Sequence, residues 1–184
     1  MRKDLVESYI ERLRASFGPA KAPVIEEELC ALYGAKDYAG MIRHVQDILH
    51  LDMRVRLGLV NKGGPSAPAW IERPKVMPGY GSAAFRQLVV VVYLRKSFLL
   101  NGNFEEAVIA IAHELCHVVL DATGHPLRAQ EEAVDLTAML LGFRDFYVTG
   151  CRSGRQLGGI YRVENTGYLT QEEVGHAAIY MTFH

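Results

Sequence analysis

The stretch from Phe104 to Asp121 constrains the fold more than any other part of the chain. Ala107, Val108, Ile109, Ala110, Ile111 and Ala112 lead into a short polar segment holding His113, Glu114 and His117, and Val118, Val119 and Leu120 lead out of it. Apolar residues at this spacing predict a helix, and a helix apolar on nearly every side has to be buried. Two imidazoles and a carboxylate are thereby carried into the interior, where they are costly unless hydrogen-bonded, paired or bound to a metal. Whatever the chain folds into must supply their partners.

The 184 residues suit one domain over 1–184, with a helical part at about 1–50 and a core at about 51–184. Leu5, Val6, Tyr9, Ile10, Leu13 and Phe17 recur at helical spacing up to Gly18-Pro19. A second helix is predicted from near Pro23 to Gly34, and a third from its N-cap Asp37 to about His50. The period then changes to two. Met53, Val55, Leu57 and Leu59 alternate with Arg54, Arg56 and Gly58, a half-buried strand. Ala69 to Glu72 reads as a short strand, Arg73 to Ser82 as irregular, and Gln87 to Lys96 as a valine-rich strand whose polar end suits an edge or cleft wall. Helices resume at Phe104 to about Asp121 and at Leu127 to about Tyr147. Residues 151–168, with four glycines, read as a long loop. Thr170-Gln171-Glu172-Glu173 is a capping box opening a last helix. Helices, a few strands, then helices argue for α+β, with a small mixed or antiparallel sheet packed on the polar-cored helix.

Composition narrows the function classes. Apolar residues are 49% and charged residues 22%, with a formal net charge of -1, so no overall field favours nucleic acid. The longest apolar run, Leu88 to Leu94, is far short of the ~20 residues a membrane helix needs. Met1-Arg2-Lys3-Asp4 does not open a signal peptide, and the odd set Cys30, Cys116 and Cys151 suits a reducing compartment. The expectation is a cytoplasmic protein without nucleic-acid or membrane partners, whose oligomeric state the sequence does not encode.

His113-Glu114-Leu115-Cys116-His117 is an HExxH pattern. On a helix, positions i and i+4 lie about 40° apart, so both imidazoles aim at one spot, and Glu114 sits about 60° further round, able to reach a water there. Ala110, one turn earlier on the same side, leaves room for a metal and a substrate. Cys116 points elsewhere and reads as core. A catalytic zinc wants a third protein ligand. The metzincin position for a third histidine holds Thr123, and its glycine position holds Leu120, so that class fails. His125 lies nearby but off register. Glu131 and Asp135, early on the following helix, are i and i+4 and share a face, giving a ligand and a carboxylate that can orient a ligating histidine. Glu132 lies about 100° round the helix from Glu131 and stays open as the alternative ligand.

HExxH followed by Glu131 and Asp135 as ExxxD on the next helix resembles the gluzincin metallopeptidases, and the short interval is most similar to compact soluble members, the minigluzincins and phage-immunity-regulator metallopeptidases. The resemblance spans roughly residues 87–149. It implies a zincin-like fold in which the valine-rich strand forms the cleft edge, and a hydrolase, a zinc-dependent metalloprotease, acting on a peptide or protein substrate. It further implies Zn2+ held by His113, His117 and Glu131, Asp135 behind them, and Glu114 as the general base for a zinc-activated water. Such enzymes recruit a downstream donor for the oxyanion, and Tyr168, Tyr161 and His176 are the candidates here. The alternative is a catalytically silent zinc-dependent regulatory or binding module on the same fold.

Overall fold

The computed structural model describes residues 3–65, 67–150, 152–157, 160–165 and 167–183, with the backbone alone described over 152–157 and 160–165. Three helices open the chain. α1 (Lys3–Phe17) turns Val6, Ile10 and Leu13 inward, and α2 (Glu26–Gly34) buries Leu29. α3 (Tyr38–Ile48) is capped by Asp37, whose side chain accepts from the Gly40 N–H at 2.8 Å. Next come β1 (Arg54–Val60), β2 (Ala69–Glu72), the short α4 (Ala83–Gln87), β3 (Val89–Arg95) and a second short helix, α5 (Lys96–Asn101). The two short helices have no counterpart in the sequence reading, because five or six residues are too few to show a period.

The strands form a mixed sheet in the order β1-β3-β2, with β1 parallel and β2 antiparallel to β3. Val90, Val92 and Leu94 of β3 are buried, while the intervening residues are half-buried or exposed. This strand is therefore central, and the expectation that it forms an edge is wrong. Its polar end is used internally: Arg95 donates to the carbonyls of Ala67 at 2.9 Å and Gly63 at 3.1 Å, and its guanidinium lies over Trp70. The edge beside the polar-cored helix belongs to β2, which packs against it.

That helix, α6 (Phe104–Ala122), has both ends set by local sequence. Asn103 accepts from the Glu106 N–H at 2.8 Å and Glu106 accepts from the Asn103 N–H at 3.0 Å, a complete capping box. At the far end Gly124 has φ +63, the His125 N–H bonds Leu120 O at 2.9 Å and the Gly124 N–H bonds Asp121 O at 3.0 Å, a Schellman close. All but three of its residues are buried, against α2, α3, β2, α7 and α8.

One long helix after it was expected, and three pieces stand there: α7 (Glu131–Ala138), a π-helical turn (Met139–Phe143) and α8 (Arg144–Gly150). The break falls at Gly142, at φ 113. Carbonyls freed by such a break need donors, and the extended chain before α2 supplies them: Lys21 N–H bonds Leu140 O at 2.8 Å and Val24 N–H bonds Gly142 O at 2.9 Å. For the same reason α2 starts at Glu26 rather than near Pro23. The expected loop over 151–168 contains an antiparallel pair of strands, β4 (Arg152–Leu157) and β5 (Ile160–Asn165). α9 (Gln171–Phe183) begins at the expected box, where Thr170 N–H bonds Glu173 at 3.0 Å and Glu173 N–H bonds the Thr170 hydroxyl at 3.3 Å.

Gly142 tolerates no side chain: besides its φ, an added Cβ would stand 2.8 Å from Ala22 O and 3.3 Å from Val24 Cγ2. Gly142→Ala is expected to lower stability by about 2–4 kcal/mol, read as a shifted urea midpoint at unchanged slope. An unchanged midpoint would mean that the break carries no strain.

Candidate metal centre

α6 and α7 bring the polar residues together. Along α6, Ala110 (7% exposed), His113 (7%), Glu114 (9%) and His117 (7%) are buried but still touch solvent. Glu131 opens α7, and its Oε2 lies 3.2 Å from His113 Nε2 and 3.3 Å from His117 Nε2. The three ligand atoms all lie within 4.8 Å of one another, so the group could hold a metal ion. Metal bonds of about 2.0–2.1 Å in a tetrahedron give ligand-to-ligand edges of about 3.3–3.4 Å, close to the two carboxylate–imidazole distances. The donor set thus fits a divalent ion. Glu131, not Glu132, occupies the third position, and His125 is engaged elsewhere: its Nδ1 accepts from Leu127 N–H at 3.1 Å and its ring stacks on Phe17.

Asp135 lies one turn beyond Glu131 and is wholly buried. Oδ1 accepts from His113 Nδ1 at 2.8 Å and from the Tyr147 hydroxyl at 2.9 Å, while Oδ2 accepts from the backbone N–H groups of Tyr168 at 2.6 Å and Leu169 at 3.3 Å. The bond to Nδ1 fixes the ring so that Nε2 faces Glu131 and His117, the role foreseen for this carboxylate. Gly167 makes the approach of the loop possible: it has φ +97, and a Cβ there would sit 2.9 Å from Asp135 Oδ2. His117 has no such support, and its Nδ1 is buried without a partner among the described residues.

The charges differ accordingly. Burial disfavours charge on His113, yet its bonds to Asp135 and Glu131 outweigh burial and push its pKa up to about 10. His117 is pushed down to about 4 by burial and by the positive His113 beside it. The bond to His113 lowers the Glu131 carboxyl. Burial raises the Glu114 carboxyl above its ordinary range.

Of the other sequence candidates, Tyr168 joins the site: its ring stacks on His113 with centroids 5.3 Å apart, and burial with the nearby Glu131 and Glu114 raises its hydroxyl pKa. His176 is held by Glu7 of α1 at 2.8 Å. The Tyr161 side chain lies outside the described residues. Cys116 is buried among core side chains, and burial raises its thiol. Three participants escaped the sequence reading: Tyr147, the backbone of 168–169, and Arg73, whose charge bears on Glu114, His117 and Glu131. Each approaches from a distant part of the chain, and no local spacing announces it.

No family model, curated protein or solved structure matches the chain. No described helix is long and apolar enough to cross a membrane.

Metal must displace the proton on His113. Below about pH 10 binding is therefore expected to release one proton per ion and to strengthen about tenfold per pH unit between about pH 7 and 9. Calorimetry in buffers of different ionisation heat reads both, and an affinity independent of pH would contradict the charge assignment. Asp135→Asn should weaken metal binding by about 10–100-fold, measured by competition with a chromophoric chelator; unchanged affinity would show that His113 needs no orientation.

Proposed function

We propose that the protein is a zinc-dependent peptidase of the gluzincin kind, with a zincin-like arrangement of β2, α6 and α7. The observation that carries the reading is the convergence of His113, His117 and Glu131 on one point, with the buried Glu114 adjacent and Asp135 behind. Two imidazoles and one carboxylate leave a coordination position open, the mark of a catalytic rather than a structural site. A zinc ion there would supply Lewis acidity and lower the pKa of water. Glu114 accepts the proton from the attacking water and passes it to the leaving amine nitrogen, for which a raised carboxyl pKa is suited. The Tyr168 hydroxyl is assigned as the donor for the developing oxyanion, because its ring stacks on His113. An extended peptide fits along β2, whose outer edge no described strand pairs. A general base also favours an enzyme over a binding module on the same fold, since a site that only holds metal has no use for one.

Protein purified without chelator or nickel resin should hold about one zinc per chain, lost in His113→Ala. Glu114→Gln should keep the zinc and lower peptide hydrolysis at least about 10³-fold, with Tyr168→Phe lowering kcat and sparing zinc. A Glu114→Gln variant that cleaves as wild type does would defeat the mechanism. A zinc-loaded wild type that cleaves no peptide would leave the binding module.

A further inference from the structure

Asp121 lies one turn beyond His117 on α6, so it continues the helix row of Ala110, His113 and His117. Arg73, the first residue after β2, reaches across to it: its Nη1 donates to Asp121 Oδ2. The chain after Arg73 is tied to the same helix end, where Tyr80 N–H bonds Ala122 O at 2.9 Å. The guanidinium is thereby held beside α6 at the end of this row, next to the edge strand β2. Its side chain is 32% exposed, and among the described residues Asp121 is its sole acceptor, so the rest of the planar fork is left to solvent. Arg73 is the one non-histidine cation among the described residues whose charge bears on Glu114, His117 and Glu131 alike.

We propose that Arg73 is a specificity residue: held by Asp121 one turn beyond His117, its free guanidinium edge binds a carboxylate of the substrate, and the protein acts on peptides carrying a carboxylate near the bond cleaved. The proposal rests on the peptidase reading. A guanidinium fork pairs with a carboxylate through parallel N–H bonds, and one already anchored loses little freedom in doing so.

The test separates binding from turnover. Alkyl hydroxamates ending in a carboxylate, in several chain lengths, and their terminal amides are titrated into zinc-loaded protein. At the matching length the carboxylate should bind at least about tenfold more tightly than the amide. Arg73→Ala should bring the two together without weakening the amide, and Arg73→Lys should keep part of the preference. A preference undiminished in Arg73→Ala, or no preference in wild type at any length, overturns the assignment. If Arg73→Ala loses its fold or its zinc, Arg73→Gln and Arg73→Lys decide in its place. Cleavage of a peptide library should then show Asp or Glu enriched at one position, or cleavage near free but not amidated C-termini, according to which carboxylate is read. Enrichment unchanged in Arg73→Ala overturns the proposal. Carboxylate-selective binding without cleavage of any peptide upholds Arg73 as the receptor and removes the peptidase reading.

Discussion

A carboxylate with no access to water, Asp135, is the point on which the rest of the site depends. Stripped of hydration, it is tolerable only while its oxygens are filled, and the donors come from three directions: His113 on α6, Tyr147 on α8, and the chain entering α9 at Tyr168 and Leu169. Removing any one donor leaves a buried acceptor short, which costs about 1–3 kcal/mol and more for a charged group. The helices around α6 are thus registered to one another by a polar contact as well as by packing. The break at Gly142 belongs to the same arrangement, since it separates α7, which carries Asp135, from α8, which carries Tyr147.

The same carboxylate makes two neighbouring histidines unlike. His113 and His117 stand one turn apart on one buried helix face, and burial acts against charge on both. One has a carboxylate at each ring nitrogen, and the other has Nδ1 without a partner among the described residues. Positive charge is therefore favoured on the first and disfavoured on the second. A metal ion binding there would have to displace the proton that the two carboxylates favour on His113.

What the sequence made legible was what is local. Asp37, the capping box at Thr170 and the limits of β2 each depend on a few adjacent residues, and each stands where the spacing placed it. The polar segment of α6 with Glu131 and Asp135 was legible because two periods of one helix type had to agree. The break at Gly142 was not, because the donors that allow it lie at residues 21–24, over a hundred residues earlier. The pairing of 152–157 with 160–165 was hidden by counting glycines as loop. The central place of β3 was invisible for a different reason: its polar end looks solvent-bound until the carbonyls at Gly63 and Ala67 are seen to take it up.

The two backbone donors to Asp135 also impose an order on synthesis. The side chains that could hold a metal lie within residues 113–131, and Asp135 follows closely, but the amides of Tyr168 and Leu169 come more than thirty residues later. Synthesis therefore delivers those side chains before the backbone donors that fill Asp135 Oδ2. A chain cut before Tyr168 would carry His113, His117, Glu131 and Asp135 yet lack both of those donors.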